Sequence, residues 1–386
     1  MDNNNVSIGV FSWNIGNNTN MAKTQEVVDT LYQIQNGQMP EIFVFAFQEL
    51  PRRRSALTNN YTKSMERYGY VFVGSMATCS WTDFEIKTLV FAMPHVNAHV
   101  INTYDACPAH TKGYANICVY AKNAIPINFT NTHFPFKSES ATVKFWARMK
   151  DDIGMNGAQG DELRFLIGDI NSRSLLTKGC YNKTVTSCAS RNSSAQDEEG
   201  YCIVKDALES IPFQYSFANR YSNTSQRSQL CESSRNSCSI SSSQVQDKSI
   251  PELVRLLVER DLIGNPPCHP LLFTEFTENQ IDFLPTYKRH KKTGNFSLVK
   301  KPPSFKPWAK DAGRLPGYAD RILYKQGDQY HRTECLRYTS IGITGNDHLP
   351  VYGVFNVERV WAFGGSSTKS KTSKTTKKTR LRRGSA

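Results

Sequence analysis

The hydrophobic positions of this chain follow two periods that alternate along the sequence. Short apolar runs bounded by turn-forming residues predict β-strands, and apolar residues spaced three or four positions apart predict helices. The predicted strands cover residues 7–13, 41–48, 70–74, 88–93, 115–120, 125–132, 165–170 and 351–357. The predicted helices cover residues 21–35, 140–153 and 250–262. This alternation predicts an α/β protein built from layered sheets and helices.

Two segments interrupt the pattern. Residues 174–248 are rich in serine and asparagine and predict a long insertion within one large domain, residues 1–363. Residues 364–386 contain eight Lys or Arg and no acidic residue, and predict a disordered basic tail. The formal net charge of the 386-residue chain is +13, and without the tail it falls to about +5. A mildly basic body suits an anionic substrate.

The ten cysteines have ordinary density and no zinc-ligand spacing, so we expect free thiols. A disulfide or metal role stays open for the five that cluster in the insertion, namely Cys180, Cys188, Cys202, Cys231 and Cys238. No signal-peptide pattern precedes the first strand, and no apolar run approaches the ~20 residues that span a bilayer. We therefore expect a cytoplasmic monomer, with peripheral contact at the inner face of a membrane as one alternative.

Five apolar strands end in polar residues, and open α/β sheets usually place their binding sites at such ends. The endings are Asn14, Gln48-Glu49, Asn131-x-His133, Asp169-x-Asn171 and Asp347-His348. Any one of them is compatible with a turn former, a helix cap or a structural histidine. Five in one chain favour a catalytic site that uses oxygen ligands and two histidines.

The residue types suit hydrolysis of a phosphate ester. This reaction requires an in-line water, neutralisation of charge on the transferring oxygens, and stabilisation of the leaving alkoxide. Magnesium takes oxygen ligands and needs only one or two carboxylates besides water and substrate phosphate. Glu49 and Asp347, assisted by Asn14, therefore form the predicted Mg²⁺ site.

The remaining polar residues supply the proton chemistry. Asp169 and Asn171 are two positions apart at one strand end, so we expect them to project to the same side and to hold and deprotonate the water. His348 is predicted to donate to the phosphoryl oxygen, with its ring fixed by Asp320. His133 is predicted to be a second donor to the same phosphate.

Seven motifs stand in the order found in inositol polyphosphate 5-phosphatases, and the chain resembles this family of the endonuclease/exonuclease/phosphatase superfamily. The motifs are Ser12-Trp-Asn-Ile-Gly16, Phe47-Gln-Glu-Leu50, Asn131-Thr-His-Phe134, Gly168-Asp-Ile-Asn-Ser-Arg173, Pro285-Thr-Tyr-Lys288, Pro316-Gly-Tyr-Ala-Asp-Arg-Ile-Leu323 and Asn346-Asp-His-Leu-Pro-Val351. The resemblance covers residues 6–357 apart from 174–248. The early motifs indicate only phosphate-ester hydrolysis, whereas the pairing of the Tyr-Lys and Asp-Arg-Ile-Leu motifs is more specific.

The resemblance implies a four-layer α/β/β/α sandwich of two mixed sheets and a magnesium-dependent site in residues 1–363. The implied reaction removes the 5-phosphate from phosphoinositides, such as phosphatidylinositol 4,5-bisphosphate, or from soluble inositol polyphosphates. Asn14, Glu49 and Asp347 then belong to the metal site. Asp169, Asn171, His348, Asp320 and His133 become the catalytic group. The implied substrate contacts are Tyr287 and Lys288 on a neighbouring 4-phosphate, Arg314 in support of them, Lys137 and Arg173.

Two alternatives stay open. A phosphodiesterase, either a nuclease or a sphingomyelinase-like lipase, uses similar catalytic parts but has no need of Tyr287 and Lys288, so we do not expect a nucleic-acid partner. A weakly active phosphoinositide-binding module is favoured by Ala312, which stands where the family usually has Lys. The basic tail is predicted either to contact an anionic membrane or to act as a nuclear-localisation-like run.

Overall fold

The computed structural model describes twelve stretches of the chain. They are residues 5–16, 23–51, 55–78, 84–109, 112–121, 125–135, 139–155, 162–171, 250–258, 273–296, 317–327 and 331–359. The predicted insertion, its five clustered cysteines and the basic tail lie outside these stretches. The described Cys107, Cys118 and Cys335 are free thiols, as predicted for the chain.

The strands are β1 (Asn5–Asn14), β2 (Ile42–Pro51), β3 (Val71–Ala77), β4 (Phe84–Ala92), β5 (His99–Ala109), β6 (Lys112–Ala121), β7 (Ile125–His133), β8 (Leu163–Asp169), β9 (Thr277–Glu278), β10 (Asp320–Lys325), β11 (His331–Ser340) and β12 (Val351–Arg359). The helices are α1 (Lys23–Ile34), α2 (Ser55–Glu66), α3 (Glu139–Asp152) and α4 (Ile250–Val258), and Pro94–Val96 form a short 3₁₀ turn. Within the described stretches, no helix is both long and apolar enough to cross a bilayer.

The eight predicted strands and three predicted helices are found close to their expected positions, except that residues 259–262 lie outside the described stretches. The structure adds α2, β5, β9, β10 and β11. The described side chains of β5 are exposed or half-buried, so this strand has no buried period on which a prediction could depend. Helix α2 contains few apolar residues, but Leu57, Tyr61 and Met65 have helical spacing, a signal that the prediction missed.

The strands form two mixed six-stranded sheets, which we call sheet A and sheet B. Sheet A has the order β11-β12-β1-β2-β4-β3, and sheet B has the order β5-β6-β7-β8-β10-β9. Each contains one parallel pair, β1 with β2 and β7 with β8, while the other neighbours are antiparallel. In each parallel pair the two strands are joined by a segment that contains a helix, α1 or α3, as a parallel connection requires.

Three apolar clusters separate four layers. The first fills the space between the sheets, where Val10 and Val44 of sheet A belong to the same cluster as Phe129 and Ile167 of sheet B. The second lies between the outer face of sheet A and helices α1 and α2. The third joins the outer face of sheet B to α3. The predicted α/β/β/α sandwich is confirmed.

Side-chain alternation explains both the inner core and the position of the polar residues. On β2, Phe43, Phe45 and Phe47 pack in the outer cluster, whereas Ile42, Val44 and Ala46 belong to the inner one. The next inward position is Gln48, which is fully buried. The inward rows of β1, β7 and β8 likewise change from apolar to polar at one end, where Asn14, His133 and Asp169 lie. The inter-sheet layer is therefore apolar along its length and polar at this edge.

Gly168, which precedes Asp169, gives a stability prediction for this edge. Its φ is +133°, and a Cβ there would lie 2.0 Å from the carbonyl oxygen of Thr132 on the neighbouring strand. Gly168→Ala should lower the free energy of unfolding by about 3 kcal/mol or more, because neither the dihedral nor the backbone contact can relax cheaply. Urea unfolding followed by circular dichroism measures the loss.

Gly154→Ala is the matched control. Gly154 also has a positive φ, +68°, but its Cβ would meet nothing within 4 Å. We expect a loss of only about 1 kcal/mol, from backbone strain alone. Equal losses in the two variants would show that the contact with Thr132 is unimportant.

Candidate active site

Residues from both sheets meet at the polar edge of the inter-sheet layer. Strand register places His133 of β7 opposite Asp169 of β8, and Asp169 opposite Asp320 of β10. These three side chains therefore occupy one row across three neighbouring strands. Asn14 of β1 is opposite Gln48 of β2 in sheet A. All five residues are at least nine-tenths buried.

Asp169 is the central acceptor of the site. Asn14 Nδ2 donates to Asp169 Oδ2 at 2.9 Å, and the backbone N–H of Asn171 donates to Oδ1 at 2.9 Å. Burial raises the pKa of the Asp169 carboxyl, but the hydrogen bond from His133 and the charges of His348 and Lys112 hold it well below its usual range. Asp169 is therefore a carboxylate at neutral pH.

His133 faces charged groups on one side of its ring. Its Nε2 contacts Lys112 Nζ and lies 3.3 Å from Asp169 Oδ2 and 3.5 Å from Glu49 Oε1. Burial lowers the pKa of His133, and the positive charge of Lys112 lowers it further. The imidazole is therefore neutral, while Lys112 supplies a cation at the same place.

Lys112 was not predicted as a site residue. It begins β6, which runs antiparallel to β7 so that Gly113 is opposite His133. The prediction considered only the carboxyl ends of strands, whereas an antiparallel strand brings its amino end to the same edge. A lysine followed by glycine immediately before an apolar strand was the available signal.

Glu49 reaches the site because β2 is irregular at its end. The register with β4 shifts between Phe47 and Leu50, and Glu49 has a positive φ of 53°. Regular alternation would place Glu49 on the outer face beside Phe47. The bulge redirects it, so that its carboxylate approaches His133 of the other sheet and stays 36% exposed.

His348 forms a buried pair with Asp320. The distance from His348 Nδ1 to Asp320 Oδ2 is 2.8 Å, and Thr286 Oγ1 donates to the same oxygen at 2.8 Å. Burial lowers the pKa of His348, but the charge and hydrogen bond of Asp320 outweigh it and raise that pKa to about 10. Burial also raises the pKa of Asp320. The pair therefore retains a proton at neutral pH, and Nε2 is the ring nitrogen left to face a substrate.

Tyr287 and Lys288 lie beside this pair. The ring centroids of Tyr287 and His348 are 4.6 Å apart, and Lys288 Nζ is 3.9 Å from Asp347 Oδ2. Both residues belong to residues 285–289, which we call the linking segment. Its backbone connects the two sheets, since it contacts Gly317, just before β10 of sheet B, and the loop before β12 of sheet A.

Paired backbone hydrogen bonds hold the linking segment. On one side Tyr287 exchanges two with Gly317, at 3.2 and 2.8 Å. On the other side the N–H of Arg289 donates to Asp347 O at 2.8 Å, and the N–H of Leu349 donates to Thr286 O at 3.0 Å. Tyr287 and Lys288, two of the predicted substrate contacts, and the histidine–aspartate pair are thus parts of one hydrogen-bonded unit.

The position of Asn171 differs from the expectation. Strand β8 ends at Asp169, and Asn171 lies beyond it with a φ of 56°. Its side-chain Nδ2 donates to Phe134 O at 2.8 Å. Because Asn171 lies beyond the strand, strand alternation does not determine the direction of its side chain. Asn171 contacts Asp169 through its backbone. The predicted substrate contacts Lys137, Arg173 and Arg314, and the substitution Ala312, lie outside the described residues.

The described donor set fits a cation held by few protein ligands. Asn14, Glu49 and Asp347 offer oxygen atoms, and Glu49 and Asp347 are partly exposed. In the described stretches no group of three or more His, Cys, Asp or Glu side chains has the arrangement of a metal cage. Magnesium suits this arrangement, because it keeps several waters and binds through one or two carboxylates and substrate phosphate.

A buried amide pair connects the sheets beneath the site. Gln48 Nε2 donates to Asn131 Oδ1 at 2.7 Å, and Asn131 Nδ2 donates to Phe47 O and Lys87 O at 3.2 and 3.0 Å. The sequence showed both as polar residues near strand ends. Their contact joins positions 83 residues apart, which strand patterns do not reveal.

Comparison of the sequence with known proteins finds similarity to phosphatases. A model of the endonuclease/exonuclease/phosphatase family 2 matches residues 222–354. A phosphatidylinositol polyphosphate 5-phosphatase type IV of Mus musculus is 34% identical over 114 residues, which are 29% of this chain and 16% of that relative. The match therefore spans much less than two thirds of the relative.

Solved structures share the fold. The inositol polyphosphate 5-phosphatase domain of a synaptojanin, in complex with inositol (1,4)-bisphosphate and calcium, has a TM-score of 0.55 and 18% identity over 92% of this chain and 86% of that one. A Cimex nitrophorin, a ferrous NO complex, has a TM-score of 0.56 and 16% identity over 92% of this chain and 99% of that one. The sandwich is thus the endonuclease/exonuclease/phosphatase-like fold. The predicted resemblance to the inositol polyphosphate 5-phosphatase family is confirmed.

The amide pair gives a prediction about how the sheets are joined. Gln48→Leu or Asn131→Leu alone should lower the free energy of unfolding by about 1–3 kcal/mol, because each breaks the 2.7 Å hydrogen bond between the two buried amides. The double variant should lose less than the sum of the two by about 1 kcal/mol or more, since this shared bond is then lost only once. Urea unfolding of all four proteins measures this coupling, and strictly additive losses would mean that the pair does not connect the sheets energetically.

Proposed function

We propose that this chain is a Mg²⁺-dependent phosphatase that removes the 5-phosphate from phosphoinositides, soluble inositol polyphosphates, or both. The observation that carries the proposal is the position of Tyr287 and Lys288 against His348 and Asp347. A lysine here can hold a phosphate next to the one that is cleaved, as an inositol 4,5-bisphosphate requires. A phosphodiesterase gains nothing from such a contact.

In the proposed reaction Asp169 orients the attacking water. Its three hydrogen-bonding neighbours fix the carboxylate, and the lowered pKa makes it a weak base. A weak base is adequate because phosphoryl transfer has a loose transition state in which the water needs little deprotonation before attack. Asn171 acts through its backbone N–H, which fixes Asp169 Oδ1.

The other residues stabilise negative charge on the phosphoryl group. His348, kept protonated by Asp320, donates through Nε2 to a phosphoryl oxygen. Because the neutral His133 gives its single N–H to Asp169, Lys112 beside it, rather than His133, is the second donor to the phosphate and adds a positive charge there. Such preoriented donors act strongly because the site is largely shielded from water.

Magnesium would be held by Asn14, Glu49 and Asp347, and when bound it neutralises charge on the phosphate oxygens. The fit rests on oxygen donors with two partly exposed carboxylates. Lys137, Arg173 and Arg314 stay proposed substrate contacts on the family resemblance alone.

We place the enzyme in the cytoplasm as a monomer, with the basic tail in contact with the anionic inner face of a membrane. The support is the eight positive charges of residues 364–386, each worth about 1 kcal/mol near such a surface. The test below therefore includes lipid substrate in anionic vesicles. Activity on these vesicles is compared between the full chain and a chain that ends at residue 363. Equal vesicle activity of the two at low salt would refute the membrane role of the tail.

The proposal is tested by phosphate release from inositol phosphates and phosphoinositides labelled at single positions, with Mg²⁺ and with chelator. We expect release of the 5-label only, its loss on chelation, and a fall of about 10²–10⁴-fold in kcat for Asp169→Asn. A DNA substrate distinguishes the phosphodiesterase alternative. Equal release of the 4- and 5-labels, or cleavage of DNA alone, would refute the assignment, and wild-type binding without turnover would favour the binding module.

The neighbouring-phosphate contact predicts a selective defect. Lys288→Ala should lower kcat/KM on a 4,5-bisphosphate by about 10- to 100-fold, the value of one charged hydrogen bond, and should have little effect on a substrate without the 4-phosphate. Lys325→Ala is the matched control, since Lys325 is equally exposed at 36% and lies 3.7 Å from a carboxylate of Glu275. An equal loss on both substrates would show that Lys288 has another role.

A further inference from the structure

Arg289 is a buried arginine inside the loop that carries the proposed substrate contacts. Its side chain is 1% exposed, and it is among the largest fully buried side chains of the described residues. Arginine is almost never fully buried unless its donors are satisfied. Here Nε and Nη2 donate to Pro285 O at 3.1 and 2.6 Å, and Nη1 donates to Gly294 O at 3.3 Å.

These contacts close residues 285–296 on themselves. Pro285 precedes Arg289 by four residues and Gly294 follows it by five, so one guanidinium fixes both arms of the loop. The guanidinium carbon also lies 3.6 Å from the ring centroid of Phe296, and Arg289 and Phe296 form a backbone bridge. A planar, multidentate group that also stacks on an aromatic ring is a role lysine cannot reproduce.

Lys288 is the residue immediately before this anchor. The two side chains take different directions, since that of Arg289 enters the loop to reach Pro285 O whereas that of Lys288 approaches Asp347. The backbone N–H of Arg289 also donates to Asp347 O. The position of the Lys288 ammonium therefore depends on how firmly Arg289 holds the backbone beside it.

We propose that Arg289 is a positioning residue that sets the selectivity for a phosphate next to the scissile one by fixing Lys288. This inference rests on the proposed function and deepens it. The Arg289 guanidinium binds Pro285 O and Gly294 O and stacks on Phe296, whereas the histidine–aspartate pair is held by Thr286 and by the strand register of Asp320. Its loss should weaken the neighbouring-phosphate contact and leave the hydrolytic step in place.

The test compares Arg289→Met with wild type on inositol 1,4,5-trisphosphate and inositol 1,5-bisphosphate. We expect KM for the trisphosphate to rise about tenfold, because a displacement of about 1 Å weakens a positioned contact strongly, with kcat changed less than about twofold. Both parameters for the bisphosphate should stay near wild type. In a Lys288→Ala background Arg289→Met should add less than about twofold, since an effect that acts through Lys288 disappears with it.

Two further variants keep the result interpretable. Arg289→Lys retains the charge but not the forked donors, and should give a smaller KM rise of the same selectivity. Arg337→Met removes a partly buried arginine that also donates to a backbone carbonyl, Ile34 O at 2.7 Å, but lies on the edge strand β11. It should leave the selectivity unchanged. Thermal unfolding verifies that each variant is folded. If Arg289→Met does not fold, the kinetics of Arg289→Lys replace it in the comparison.

Three outcomes would overturn the positioning role. They are an equal KM rise on both substrates, an undiminished effect of Arg289→Met without Lys288, and unchanged kinetics in both Arg289 variants. Failure of the proposed function looks different, because wild type itself would then not release the 5-phosphate selectively. Wild-type release with the wrong variant pattern refutes the positioning role alone.

Discussion

The hydrogen bond from Asn14 to Asp169 joins the two sheets at the candidate active site. Asn14 ends an inward row of sheet A, Asp169 ends one of sheet B, and both are almost fully buried. A polar group in such a place costs several kcal/mol unless it is paired. Each sheet supplies the partner that the other needs. The catalytic arrangement therefore exists only when the apolar inter-sheet layer is packed, and the core and the site form together.

The candidate site shifts the pKa values of chemically identical groups in opposite directions. Asp169 has a lowered pKa because it accepts hydrogen bonds beside cations, whereas burial raises that of Asp320. His348 has a raised pKa beside Asp320, and that of His133 is lowered by burial and Lys112. Pairs of like groups whose pKa values are pushed apart are typical of divided acid and base roles. The site thus provides both a carboxylate and a proton donor at neutral pH.

The sandwich alone does not decide what happens at this edge. A nitrophorin with bound NO has the same fold as a 5-phosphatase domain, at nearly equal similarity to this chain. Function depends on side chains placed on the fold. In this chain the linking segment and the loop before β12 bring Lys288 to Asp347 and Tyr287 to His348. In the function proposed above, Asp169 and the His348–Asp320 pair serve hydrolysis, whereas Lys288 serves substrate choice.

The sequence predicts those parts of the candidate site that lie at the ends of regular strands. Asn14, His133 and Asp169 were found because each ends a regular inward row, and the layers follow from the same alternation. Glu49 does lie at this edge, but regular alternation would have turned it outward, and it is the bulge that directs its carboxylate towards His133. Lys112, Thr286 and Arg289 were missed for a common reason: their roles come from an antiparallel strand start and an irregular loop, where no period exists. The conformation of such segments is fixed by individual contacts, and for this reason we propose that a single side chain, Arg289, alters substrate choice without disturbing the sheets.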